Sequence, residues 1–184
     1  MLGAAFEVTL ADARAGDQQA FAAIFRDIQP SLLRYLQVIA SDAAEDMAGE
    51  TWLQVIGGLG SFRGDEQAFK AWLFTIARHR TIDWARSRVR RQALPARLGA
   101  ADGQQVAADT ADVVLERLST RAVLAAVASL PADQAEIILL RVVAGLDAPA
   151  VARIVGKSPG AVRVAAHRGL RRLAVVLDQA GVTV

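Results

Sequence analysis

Between Leu130 and Leu173 the chain carries three short runs of helical apolar spacing, at 132–143, 148–155 and 159–173, parted only by Gly145 and Gly156. That punctuation leaves few folds open, because short helices bury no apolar face alone and three in close succession must pack on one another. Gly156 stands where a helix-turn-helix needs a residue that tolerates positive φ, and Ser158 can cap the third helix with Pro159 at its first position. Val151, Ile154 and Val155 supply the inner face of the second helix; Val162, Ala166, Leu170 and Leu173 supply that of the third. The opposite face of the third is cationic, with Arg163, His167 and Arg171 recurring every four residues and Arg168 and Arg172 alongside. Such a face fits a major groove. Guanidinium groups there meet phosphates or guanine edges, and the small Ala161 and Ala165 allow close approach or meet thymine methyls.

Upstream, residues 17–92 read as a string of helices. Asp17 can cap one in which Phe21, Ile24, Phe25 and Ile28 recur at helical spacing; Pro30 is expected to end or kink it, and Leu32, Leu33, Leu36 and Ile39 continue the apolar face. Ser41-Asp42 starts a second segment, apolar at Met47, Trp52, Leu53 and Ile56 until Gly57-Gly58 and Gly60 interrupt. Its acids, Asp42, Glu45, Asp46 and Glu50, are left for solvent or a partner. Residues 61–66 read as a loop, after which Phe69, Trp72, Leu73 and Ile76 mark a third helix that turns basic from Arg78 to Arg86. Residues 93–112, rich in Ala, Gly, Gln and Asp with Pro95 inside, read as a linker before a further helix over 113–128. A hydrophobic fraction of 53% with only 5% aromatic residues suits helix packing, so the expected fold class is all-α: two small helical domains joined by a flexible linker.

Net charge is only +2, but its distribution is uneven. Arg78, Arg80, Arg86, Arg88, Arg90, Arg91 and Arg97 face a single acid, Asp83, and no acid falls between Arg153 and Arg172. Between these blocks, Asp102, Asp109, Asp112 and Glu116 form an acidic connector. Two basic blocks suggest two surfaces for a polyanion, since counterion release drives nucleic-acid binding. The absence of Cys excludes a disulfide framework and a thiolate metal site, and the two His residues have no acid cluster at metal spacing, so no metal or cofactor is expected. Without a Gly-rich phosphate loop or a nucleophile–base set, an enzyme is not expected. Asp133 and Glu136 read as favourable partners of a helix start. The N-terminal MLGAAFEVTLADARAG lacks the features of a signal peptide, and no apolar run reaches the ~20 residues that span a bilayer, so the expected location is cytoplasmic, with no membrane insertion.

Three strings, by their order and spacing, carry a family resemblance. These are Asp42-Ala-Ala-Glu-Asp-Met-Ala-Gly-Glu-Thr-Trp-Leu53; Phe69-Lys-Ala-Trp-Leu-Phe-Thr-Ile-Ala-Arg78 with Ile82-Asp83 and Arg86; and Leu130-Pro-Ala-Asp-Gln134 with Leu140-Arg141 and Gly160-Ala-Val-Arg163 to His167-Arg168. From Asp17 to Leu177 the chain resembles the extracytoplasmic-function (ECF) group of bacterial sigma factors, of the sigma-70 family. The resemblance implies a region 2-like helical bundle over 10–92, a linker over 93–112 and a region 4-like helix-turn-helix over 113–178. It implies core RNA polymerase (clamp and flap) and promoter DNA as partners, and it admits an anti-sigma factor. Core binding would fall on Asp42, Glu45, Asp46, Glu50 and Leu53, with Met47 and Trp52 packed inward. Minus-10 DNA would meet Phe62, Arg63, Arg78, His79, Asp83, Arg86, Arg88, Arg90 and Arg91, while Trp72 and Trp84 read as core positions before base-stacking ones. Minus-35 DNA would meet Lys157, Ser158, Ala161, Arg163, Ala165, His167, Arg168 and Arg171. The acidic linker would lie in the polymerase channel that RNA later occupies. His79 stands where relatives often carry Asn, and Val164-Ala165 replaces a commonly polar or basic pair. The rival reading is a conventional helix-turn-helix regulator that binds duplex DNA without polymerase; a third is a protein-interaction adaptor.

Overall fold

The computed structural model describes residues 2–92 and 111–180; the expected linker falls outside them except for 111 and 112, which open a helix. A 3-10 turn at Gly3–Ala5 leads into α1 (Phe6–Arg14) and then α2 (Gln18–Ile39); a second turn, Ser41–Ala43, leads into α3 (Ala44–Leu59) and then α4 (Glu66–Gln92). Helix α1 begins ahead of the boundary expected at residue 10. Phe6, Leu10 and Ala13 fall on one face of it and are buried, and the Phe6 ring lies 5.5 Å from that of Phe69. Asp17 caps α2 as its position suggests, accepting from the amides of Gln19 and Ala20 at 2.7 and 3.1 Å.

Pro30 does not end α2, which continues to Ile39. Its ring is exposed, while Ile24, Ile28, Leu32, Tyr35 and Leu36 are wholly buried along one face on either side of it. Each such side chain contributes roughly 1.5–3 kcal/mol on burial. Together they outweigh the ~3 kcal/mol that an interior proline costs. Helix α3 likewise runs through Gly57-Gly58, because Val55 and Leu59 are buried around them and the Trp72 ring packs on Gly58. A Cβ there would sit 2.7 Å from Trp72 Cζ2, so the glycine is a packing residue inside the helix.

The second half comprises α5 (Ala111–Ala128), α6 (Ala132–Ile138), a π turn (Leu139–Val143), α7 (Ala148–Val155) and α8 (Pro159–Gln179). The π turn shows in the Ala144 amide donating to the Leu139 carbonyl at 2.9 Å, and Arg141 Nη1 donates to the Leu146 carbonyl at 2.6 Å to close the corner. Asp147 caps α7 and Ser158 caps α8, with the left-handed Gly156 between them at φ 69°. Helices α6, α7 and α8 bury Ile137, Ile138, Val151, Ile154, Val162 and Leu173 together.

One expectation is corrected. Leu170 does not join the inner face of α8 but is 45% exposed; Gly169 turns inward instead. Helix α8 approaches α6 so closely that a Cβ on Gly169 would lie 2.7 Å from Ile138 Cδ1, and the register settles around that glycine. The halves also touch, with α4 against α7 and α2 against both α5 and the π turn. Among the described residues no helix is long and apolar enough to cross a membrane.

Candidate nucleic-acid and protein interfaces

On α3 the inward stripe is Met47, Thr51, Trp52, Val55 and Leu59. Trp52 is held by its Nε1 donating to Gln29 Oε1 at 2.6 Å and by the Phe25 ring at 4.9 Å, so it is core. Away from that stripe, α3 carries Glu45, Asp46 and Glu50 and the preceding 3-10 turn carries Asp42, all exposed, with Leu53 71% and Ile56 52% exposed. Nothing covers these two apolar side chains among the described residues, and the side-chain-free Gly49 and Gly57 beside Leu53 leave it standing proud. Ile56 was visible in the sequence only as one apolar position among several; four residues from the buried Trp52, it lies at the edge of that stripe, and its exposure is seen only in the fold.

Two acids of this face reach α4. Arg88 pairs with Asp42 at 3.3 Å and Arg80 with Glu50 at 3.8 Å, both exposed and each worth little in stability. Arg80 also donates from Nε and Nη2 to Gln54 Oε1 at 3.1 and 2.9 Å. Beside this tie is a cleft of about 570 Å³ lined by Gln54, Arg78, His79, Arg80, Ile82, Asp83 and Arg86. The cleft brings together four of the expected minus-10 residues, Arg78, His79, Asp83 and Arg86. Arg80 stood in the basic run but not in the named set, and Gln54 was missed, because only the crossing of α3 over α4 joins these positions, 26 apart.

The remaining minus-10 set is dispersed. Phe62 stacks on Trp72 at 5.0 Å and 21° and meets Phe69 edge-on, which anchors the loop 61–65 to α4. Arg63 folds back, its Nη1 donating to the carbonyls of Gly60 and Phe62. Arg88 lies 5.2 Å over the Trp84 ring, farther along α4, where Arg90 is also exposed. The Arg91 side chain lies outside the described residues.

Arg78 has a partner from the other half of the chain. Its Nε donates to Glu136 Oε1 at 2.9 Å, and the Tyr35 hydroxyl donates to the same oxygen at 3.1 Å. Burial first, and then the Glu136 carboxylate beside it, hold the Tyr35 phenol well above its ordinary range, so it stays protonated and donating.

On α8, Ala161, Arg163, Val164, His167, Arg168 and Arg171 are exposed, and Ala165 is half-buried against the core. Arg163, His167, Arg168 and Arg171 have no side-chain partner among the described residues. By contrast Arg172 donates to Gln134, and Lys157 pairs with Asp133 at 3.0 Å, a hydrogen bond that holds the Asp133 carboxyl below its ordinary value. Ser158 Oγ accepts from the Ala161 amide at 3.2 Å, so its hydroxyl serves the helix start. A second cleft, about 910 Å³, runs between α2 and α5 and is lined in part by Pro30, Leu33, Arg34, Val38, Arg121 and Leu124. No group of acids and histidines able to hold a metal occurs among the described residues.

Comparison with known proteins bears on these surfaces. Residues 24–91 match the family model of Sigma-70 region 2, and residues 120–173 that of Sigma-70, region 4. The chain is 35% identical over 192 residues to the ECF RNA polymerase sigma factor SigD of Mycobacterium tuberculosis, covering 98% of this chain and 88% of that one. Among solved structures it resembles the sigma factor RpoE in complex with the anti-sigma factor NepR from Bartonella quintana, with a TM-score of 0.63, 24% identity, and 86% and 96% of the two chains covered. It also resembles CnrH in complex with the cytosolic domain of CnrY, with a TM-score of 0.62, 22% identity, and 94% and 96% covered. These two likenesses show the fold.

Proposed function

The chain belongs to the ECF sigma factors of the sigma-70 family, and from that membership we propose how its surfaces divide the work. As such a factor it acts with RNA polymerase in promoter-specific transcription initiation. Residues 10–92, extended by α1, form the module that docks on polymerase and opens the minus-10 element. Residues 113–178 form the module that grips the minus-35 duplex, and 93–112 join them. The chain itself is not an enzyme; bond formation belongs to the polymerase, and the place of action is the cytoplasm. An anti-sigma factor, such as accompanies the solved RpoE structure, is a further partner, for which the cleft between α2 and α5 offers an apolar floor and two arginines.

The observation that carries this reading is the adjacency of two unlike surfaces in the first half. Acids with exposed Leu53 and Ile56 on α3 lie beside a cationic cleft on α4. A regulator that only binds duplex DNA has no use for the first of these. On α3 the acids steer toward a basic polymerase surface and the two apolar side chains supply area to bury. In the cleft Arg78, Arg80 and Arg86 neutralise the phosphates of one displaced strand, while His79 and Gln54 offer donors and acceptors to an unstacked base. On α8, Arg163, Arg168 and Arg171 are free to meet phosphates or guanine edges. Phe62 acts in this scheme by anchoring the loop, and Ser158 by capping the recognition helix.

Photo-crosslinking tests the division. With a photoreactive residue at Leu53, His79 or Arg168 in complexes with core polymerase and promoter DNA, position 53 should crosslink to polymerase, 79 to single-stranded minus-10 DNA and 168 to the minus-35 duplex. Crosslinks from position 53 to DNA alone would overturn it.

A further inference from the structure

We propose that Asp133 limits the sequence-independent grip of the second module on duplex DNA: it holds Lys157, a cation at the entry of α8 that a phosphate would otherwise take, and leaves DNA to the arginines that can read bases. The inference rests on the reading of α8 as the minus-35 helix. Lys157 stands in the turn between α7 and α8, after the left-handed Gly156 and directly before the Ser158 cap. Its amide donates to the Ala152 carbonyl at 3.0 Å, which fixes the backbone of the turn, and its Nζ reaches Asp133 Oδ2 at 3.0 Å. The next residue of α6, Gln134, accepts from Arg172 at 3.1 Å. Two successive side chains at the start of α6 thus hold the cations at the two flanks of α8, while Arg163, His167, Arg168 and Arg171 between them stay exposed.

The acid that meets Lys157 has to come from outside α7 and α8, because no Asp or Glu falls between Arg153 and Leu177. Of the acids from Leu130 to Leu177, Asp147 caps α7 and Glu136 accepts from Arg78 and Tyr35, which leaves Asp133 at the turn that opens α8. A recognition helix meets base edges with its N-terminal residues, so the turn before it passes beside the phosphates. An ammonium there is a compact point charge that attracts any phosphate alike, whereas a guanidinium can pair with a guanine edge through two bonds. Lys157 set free would therefore add affinity for every duplex and discrimination for none. Held by Asp133, it has an anion already, and a phosphate that displaces the carboxylate exchanges one anion for another. As a stabiliser the pair is worth little, since its side chains keep 38% and 53% of their exposure. Its effect lies in the number of cations offered to DNA.

The test uses the full-length chain and three variants: Asp133→Asn, which keeps the shape of the side chain and removes its charge, Lys157→Met, and the two combined. Fluorescence anisotropy reads binding, without polymerase, of two labelled duplexes across a salt series: one carries a minus-35 element mapped by run-off transcription, the other a scramble of it. Circular dichroism confirms that each variant is helical. Asp133→Asn should bind both duplexes about 2- to 5-fold more tightly at ~0.1 M salt, and its log affinity should fall more steeply with log salt, by about 0.9 for one added phosphate contact. In the Lys157→Met background, Asp133→Asn should change neither reading. Equal affinity and slope for Asp133→Asn and the wild-type chain, absence of binding by both included, would overturn the inference. So would a gain that survives Lys157→Met, which would mark Asp133 as repelling DNA by its own charge, or a gain confined to the minus-35 duplex. Arg168→Ala and Arg163→Ala in the same titrations separate the two failures: if they weaken minus-35 binding while Asp133→Asn changes nothing, the inference alone fails; if they leave both duplexes bound as before, the reading of α8 fails.

Discussion

Arg163, His167, Arg168 and Arg171 share the outer side of α8 without carboxylate partners among the described residues, whereas Lys157 and Arg172 at its flanks are engaged within the protein. The uncompensated charge of the first four is available to DNA. Replacing Arg168 by Ala should weaken binding to a minus-35 duplex by about 1–3 kcal/mol if its contact is bidentate to a guanine, and anisotropy titrations at fixed salt read that loss. Equal affinity for both proteins would remove Arg168 from the recognition set. On the inner side of the same helix, Gly169→Ala must displace Ile138 Cδ1 and should destabilise the fold by about 1–3 kcal/mol, seen as a lower urea midpoint. The sequence offered a signal for this position, a glycine midway along a helical run, but the apolar Leu170 next to it suggested a register one residue off. Side-chain hydrophobicity could not reveal that the helices meet at a point where a Cβ would press on Ile138 and Gln134.

At the scale of elements, caps and punctuation near the helix ends were legible because their chemistry is local: Asp17, Ser158 and Gly156 do what their types dictate. Pro30 and Gly57-Gly58 were not, because tertiary burial on either side of them overrides a local preference against helix. The face of α3 was half legible, since the acids announce themselves and the outward turn of Ile56 does not. Leu53→Asp should lower affinity for core polymerase at least tenfold without changing the urea midpoint, because a side chain this exposed adds little to folding. Undiminished binding would place the docking surface elsewhere. Where α8's turn meets the start of α6, the Asp133 carboxyl sits below its ordinary 3.8 through its bond to Lys157. A carboxyl depressed on folding contributes above its unfolded value and loses that contribution as pH falls through the folded one. The contact should therefore loosen only below about pH 4, read by NMR shifts of Lys157, and loosening near neutral pH would contradict the pairing.

Over the whole molecule, a helical first half and a later helix-turn-helix were readable from apolar spacing and glycine punctuation. Helix α1 escaped notice although Phe6, Leu10 and Ala13 already stood at helical intervals, because a nine-residue helix gains its stability from the Phe69 cluster it covers and not from its own pattern. The contact between the halves was invisible for the same reason: Tyr35, Arg78 and Glu136 have no relation in sequence and meet only once the chain is folded. A molecule that holds polymerase with one surface and two DNA elements with two others makes a demand that no duplex-binding regulator meets. The direct measurement is run-off transcription with purified bacterial core polymerase on a genomic promoter library, with and without this protein. A sigma factor gives discrete new start sites that share two spaced upstream elements; duplex binding by the protein alone, with no redirected start site at any promoter, would contradict it.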